Sequence, residues 1–155
     1  MSKTNVIRIL EAKRILHASI EYKFNEDELD AVSVANKIGV DDERVFKTLV
    51  AEGDKTGINI FCIPAKYELN LKKAATASGN KKVEMIKVKE LLPITGYIRG
   101  GCSPIGMKKL YPIFIDESAR LFDNIYVSAG IRGMQIKLNP EDLINLINGV
   151  YADLL

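Results

Sequence analysis

The segment VFKTLVAEGDKTGINIFCIP, residues 45–64, constrains the fold more than any other part of the chain. Two β-rich apolar runs flank GDKTG, a short turn bounded by glycines. That spacing and those turn residues predict a hairpin, and so an antiparallel strand pair. Alternation in the first run puts Phe46, Thr48 and Val50 on one face and Val45, Lys47 and Leu49 on the other. Lys47 therefore shares a face with apolar neighbours. A lysine there either snorkels at an edge or points into a cleft where its charge is used, and the pattern alone favours snorkelling.

Helix signals surround this hairpin. Apolar residues at Val6, Ile7, Leu10, Ile15 and Leu16 predict an amphipathic helix with Thr4 near its N-cap. DAVSVANKIG predicts a short helix from Asp30 to Gly39, and NLKKAATASG another from Asn70 to Gly79. KVEMI is a short strand, and VKELLPIT a short helix ended by Pro93. YPIFIDES is a strand, SARLF a helical turn, and NIYVSAG and RGMQIKL are two strands about a glycine turn. A final helix starts at Asn139, with Pro140 in its first turn and acids behind it. Hairpins and scattered short helices, without regular strand–helix alternation, point to an α+β fold with a largely antiparallel, barrel-like sheet. No linker or repeat divides the 155 residues, so residues 1–155 are expected to form a single domain.

Charge and cysteine content narrow the function. The formal net charge is +2, so a nucleic-acid partner would have to meet a local patch. No helix-turn-helix pattern supports a DNA-binding regulator. Cys62 lies in an apolar run and is expected to pack as a small hydrophobe. Two cysteines, Cys62 and Cys102, make no disulfide framework in a chain of this length, which suggests a reducing cytoplasm. The N-terminus has no long apolar stretch, and no run reaches the ~18 residues that span a bilayer, so no membrane association is expected.

Standard catalytic sets are missing. The single histidine, His17, has no nucleophile loop near it and reads as a surface or packing residue. Cysteine, histidine and acids do not cluster at metal-ligand spacing, and neither GDKTG nor GGCSPIG sits in a nucleotide-binding context, so neither metal nor cofactor is expected. Any chemistry must come from backbone dipoles, fixed charges or the substrate itself.

Three features suit such chemistry. In YIRGGCSPIGMKK, residues 97–109, Gly100 and Gly101 precede Ser103-Pro104, and exposed amides in a glycine loop can hold an oxyanion. The alternative is a loop that needs only left-handed turns. Lys47 is the second feature. The third is YVSAGIRG, residues 126–133, where small residues at a strand end leave room for a ligand; a plain hairpin turn is the simpler reading. Lys72-Lys73, Lys81-Lys82, Lys87, Lys89, Arg99 and Lys108-Lys109 form either a solvated face or, if they converge, a phosphate-binding patch.

Taken together, VFKTLV, NLKKAA, KKVEM, TGYIRGGCSPIGMKK, IYVSAGIRG and PEDL resemble, in order and spacing, the YbaK/EbsC family. These are Cys-tRNA(Pro) deacylases related to the editing domain of prolyl-tRNA synthetases. The resemblance runs from about residue 4 to the C-terminus. It implies a mixed, mostly antiparallel, barrel-like sheet with flanking helices. It also implies cytoplasmic release of cysteine from mischarged proline tRNA, by hydrolysis or by cyclisation; in the YbaK-type branch the substrate's own thiol attacks its ester carbonyl. The partner would be the acceptor end of an aminoacyl-tRNA, and a prolyl-tRNA synthetase could stand beside it.

By position in the motifs, Lys47 matches the family's essential lysine, and Gly100 and Gly101 match the glycine pair facing the aminoacyl carbonyl. Ser128 and Gly130 match pocket residues at a strand end, and Tyr22 a pocket tyrosine. Thr48, Ser103 and Pro104 adjoin these motifs and join the substrate-binding set. Arg99, Lys108 and Lys109 become candidate phosphate contacts. Asp30 and Ala31 stand where the family often has an aromatic residue or a His-Gly pair, which leaves amino-acid preference open. A deacylase for another small amino acid such as alanine, or a non-catalytic module that binds tRNA or a synthetase, are the alternatives.

Overall fold

The computed structural model describes residues 3–155. Its strands form two sheets. β1 (His17–Glu21), β7 (Met134–Leu138) and β6 (Ile125–Ser128) make an antiparallel three-stranded sheet in the order β1-β7-β6. The second sheet runs β4 (Val83–Met85), β2 (Phe46–Gly53), β3 (Gly57–Pro64), β5 (Ile113–Asp116), β8 (Val150–Ala152). Its β4-β2-β3 portion is antiparallel, as the hairpin requires, and β5 and β8 join in parallel. The architecture is mixed α+β and mostly antiparallel. The sheets do not close into a barrel; they meet at one bridge, Val45 to Tyr126.

That bridge is reinforced. Tyr126 N–H donates to the Arg44 carbonyl at 2.9 Å. The Arg44 guanidinium lies 5.4 Å from the Tyr126 ring centre and donates to the Asn124 carbonyl at 3.3 Å. The start of β2 is thereby fixed against β6.

Both faces of β3 are buried, which is why INIFCIP reads as a continuous apolar run and not as an alternating one. Ile60 and Cys62 join a core with Phe46, Val50, Ile125, Ile136 and Leu10. Phe61 and Ile63 point the other way, against Ala74 and Ala75 of α3 (Leu71–Ser78). Cys62 is fully buried and unpaired, as expected of a packing residue.

The helix caps follow the sequence closely. Thr4 Oγ1 accepts from Ile7 N–H to start α1 (Asn5–Ala12), Asp30 caps α2 (Ala31–Ile38), and Asn70 caps α3. Asn139 caps α5 (Pro140–Ile147) by accepting from Glu141 and Asp142. Three expectations need correction. Ile15 and Leu16 lie beyond α1, and Leu16 is largely in solvent. Pro93 does not end α4, which spans Val88–Thr95 and stops at Gly96. Proline forfeits only the bond to the carbonyl of exposed Lys89, and the last turn is held from outside: Tyr111 Oη donates to Ile94 O and Lys108 N–H to Thr95 O. Finally, β1 and β8 were not foreseen as strands. Among the described residues no helix is long and apolar enough to cross a membrane.

Candidate active site

β4 pairs with β2 only over Ala51–Gly53, followed by a single bond from Ile86 N–H to Val50 O. Between that point and the bridge at Val45, the edge of β2 has no strand partner. Ala65 N–H bonds to Val45 O, so the register turns the backbone of Val45, Lys47 and Leu49 toward β3. The N–H and C=O of Thr48 therefore face the uncovered edge. A cavity of about 320 Å³ lies against this edge. It is walled by the start of α2, the β4–α4 segment, the turn at Arg99–Cys102, and Ser128 and Gln135 of the other sheet. This volume is in the range of a small-ligand site.

Lys47 lines the cavity and is half-buried there. Its Nζ donates to the Ala65 carbonyl at 3.0 Å. Desolvation pulls its pKa below the ordinary lysine value, partly opposed by the charges of Glu68 and Asp30. Asp30 also lines the cavity, with its carboxylate committed to the Ser33 hydroxyl and N–H, which hold its pKa low. Lys47 is thus a cation beside apolar walls, with one backbone carbonyl as its hydrogen-bond acceptor.

The structure separates the two glycines. Gly100 lines the cavity at φ +85°, and a Cβ there would meet Leu29 at 3.1 Å, so glycine is required on both counts. Its N–H has no partner among the described residues. Gly101 differs from the expectation of a second oxyanion donor. Its N–H closes a turn onto the Ile98 carbonyl at 2.9 Å, and a Cβ would press on the Ile131 backbone at 3.2 Å. Gly101 seats the loop; Gly100 faces the ligand space.

Thr48, Ser128 and Arg99 also line the cavity. Ser128 Oγ accepts from Gly130 N–H at 3.1 Å, so Gly130 supports the strand end without lining the cavity. Ser103 is buried, with its Oγ accepting from Ile105 N–H, and neither it nor buried Pro104 reaches the cavity wall. Tyr22 is half-buried beside the 133 turn, where its N–H donates to Gly133 O. Lys108 and Lys109 are exposed and outside the lining, and Lys108 Nζ reaches toward Pro93 O. Burial pushes the Cys102 thiol up to about 12, so it is not a thiolate at neutral pH. His17 is engaged with the Ile15 carbonyl in β1, away from the cavity lining.

Gln135 escaped the sequence reading. It is 5% exposed and lines the cavity, yet its Oε1 has no hydrogen-bond partner. MQIKL alternates apolar and polar residues, so Gln135 reads as an ordinary outward position and no local signal marks it.

Known proteins share the fold and much of the sequence. Residues 25–146 match the aminoacyl-tRNA editing domain. The chain is 51% identical over 152 residues to an Enterococcus faecalis protein, EbsC, provisionally named a Cys-tRNA(Pro)/Cys-tRNA(Cys) deacylase. The match spans 98% of this chain and 93% of that protein. A crystal structure described provisionally as a trans-editing enzyme for prolyl tRNA synthetase has a TM-score of 0.82 at 24% identity, covering 99% of this chain and 98% of that one. The hypothetical protein APE2540 gives a TM-score of 0.88 at 20% identity, covering 97% and 99%. At that identity the two structures speak for the fold alone, while the motifs around Lys47, Gly100 and Ser128 fall within the matched residues. The chain belongs to the aminoacyl-tRNA editing domain family, of which the YbaK/EbsC proteins are members.

Proposed function

We propose that this chain, acting as one domain, is a deacylase that removes cysteine from Cys-tRNA(Pro). The observation that carries the reading is the 51% identity to EbsC along 98% of the chain. The site chemistry is consistent with it. The carboxylate in the cavity wall, Asp30, is committed to Ser33, and the Cys102 thiol is protonated, whereas an aminoacyl ester of cysteine brings a thiol two bonds from its α-carbon.

In this mechanism the substrate thiol loses its proton, and its sulfur attacks the ester carbonyl. The C–O bond to the ribose breaks, the ribose oxygen takes up a proton, and a cyclic thioester leaves. Charge develops on the carbonyl oxygen. The Gly100 N–H donates to that oxygen, and Lys47 supplies positive charge beside it. Thr48 and Ser128 shape the pocket around the side chain, and Arg99, at the rim, takes a phosphate of the acceptor end. Gly101 holds the loop. Lys108 and Lys109 lie outside the cavity lining, and a prolyl-tRNA synthetase stands beside the protein and delivers the substrate.

A panel of mischarged tRNAs tests the reading. Cys-tRNA(Pro) is expected to be cleaved fastest, and the same tRNA carrying S-methylcysteine to be cleaved at the uncatalysed rate. Fast release of alanine would reassign the amino acid, undiminished release of S-methylcysteine would indicate attack by water, and no release of any residue would leave a binding module.

A further inference from the structure

We infer that Gln135 reads the amino group of the aminoacyl ester, with its side-chain Oε1 accepting a hydrogen bond from the substrate's α-ammonium. This deepens the deacylase reading and rests on it.

A buried carbonyl oxygen without a donor is uncommon in a folded chain, because nothing replaces the water it has lost. In β7 Met134, Ile136 and Leu138 fill the core from one face, while Gln135 points to the other face and is buried there as well. An apolar residue would suit the strand better if packing were its only task. Directly across the β6–β7 pair stands Ser128, so the two polar side chains share one face of the sheet, and that face lines the cavity.

The other side-chain acceptors lining the cavity are already engaged. Asp30 holds Ser33, Ser128 Oγ holds Gly130 N–H, and Thr48 Oγ1 lies 3.8 Å from Cys62 Sγ. The Ala65 carbonyl is taken by Lys47. Gln135 Oε1 is thus the unfilled side-chain acceptor on the wall.

An aminoacyl ester supplies the complement. Its carbonyl needs donors, which Lys47 and Gly100 provide. Its α-ammonium needs an acceptor, and cannot enter a partly apolar cavity without one. A neutral amide accepts this bond without competing with Lys47 for its charge, as a carboxylate would.

The test compares tRNA charged with cysteine and tRNA charged with 3-mercaptopropionate, which keeps the thiol and the ester but has no nitrogen to donate. Gln135→Leu is expected to lower kcat/KM for the free-amine substrate at least tenfold and to leave the desamino substrate within twofold of the parent rate. Turnover of the desamino substrate also reports that the variant is folded. Equal losses on both substrates, or no loss on either, would overturn the role of Gln135. If Gln135→Leu does not fold, Gln135→Glu carries the test, because it keeps an acceptor. It must retain a preference for the free amine, and loss of that preference overturns the inference. If the unaltered protein cleaves neither substrate, the deacylase reading itself falls and takes this inference with it.

Discussion

Lys47 Nζ reaches the carbonyl of Ala65 across the open end of the hairpin, 3.0 Å away, and forms no ion pair among the described residues. A structural lysine would be expected to find a carboxylate or bulk water. This one is placed at a cavity wall with its charge uncommitted.

Replacing it separates charge from packing. Lys47→Met keeps the stem length and removes the cation. Turnover of Cys-tRNA(Pro) should fall by about a hundredfold or more, the scale seen when a fixed electrostatic donor is lost from a site. Urea unfolding should show no loss of stability, since burial disfavours the charged form in the folded state. A variant that remains fully active would remove Lys47 from the mechanism.

The same desolvation sets a pH dependence. The folded-state pKa of Lys47 lies below 10.5, its ordinary value, because burial penalises the cation. At neutral pH both states are protonated and the penalty is present. It is relieved as pH rises from the folded value to 10.5, where both states become neutral, so wild-type stability should gain on Lys47→Met across that window. Deacylation should lose its lysine-dependent component as pH rises, and should do so below 10.5. Paired unfolding curves and background-corrected rates check both signs.

Gly100 and Gly101 should respond differently to alanine. Gly100→Ala forces a side chain into a left-handed conformation, costing about 1–2 kcal/mol, and moves the amide assigned to the ester oxygen. Its kcat should fall further than its stability explains. Gly101→Ala presses on the Ile131 backbone and should show itself mainly as destabilisation of the 97–101 and 129–133 turns, seen by hydrogen exchange.

How much of this was legible in the sequence depended on range. Thr4, Asp30, Asn70 and Asn139 announce their helices because a cap bonds only two or three residues onward. The hairpin around GDKTG was equally local. β1 and β8 carry no such signal: HASIE is half polar, VYA is three residues long, and each is a strand only because a distant partner, β7 or β5, lies beside it. The cavity shows the same division. Lys47 and Ser128 stood out by position within their strands, but their convergence depends on the Val45–Tyr126 bridge, which no local pattern encodes. Lys108 and Lys109 are near the glycines in sequence but lie outside the cavity lining, because the chain leaves the cavity wall after Cys102.

Asn80 and Gly53 form a second testable pair, this one structural. Asn80 Oδ1 accepts from Lys55 and Thr56 N–H at 2.8 and 2.9 Å, and its Nδ2 donates to Thr56 Oγ1 and Ser78 Oγ at 2.8 Å. It ties the hairpin turn to the end of α3. Asn80→Ala should cost about 1–3 kcal/mol, the sum of a few partly exposed hydrogen bonds. A Cβ on Gly53 would overlap the Asn80 side chain, so Gly53→Ala must expel it. The two losses should therefore be less than additive in a double-mutant cycle by urea unfolding, because the second substitution removes what the first has already displaced.

Cys102 gives the sharpest contrast between the protein's thiol and the substrate's. It lines the cavity and sits between Gly101 and Ser103, where a nucleophile would attract suspicion. Burial raises its pKa to about 12, against ~8.5 for a free thiol, so at pH 8 its thiolate fraction is lower by about a thousandfold. Iodoacetamide should modify it correspondingly slowly in the folded protein and at the ordinary rate in urea. Cys102→Ala should keep turnover of Cys-tRNA(Pro), while S-methylation of the substrate stops it. Rapid alkylation of native Cys102, together with loss of turnover in the alanine variant, would move the nucleophile from the substrate to the protein and require a covalent acyl-enzyme in place of the cyclic product.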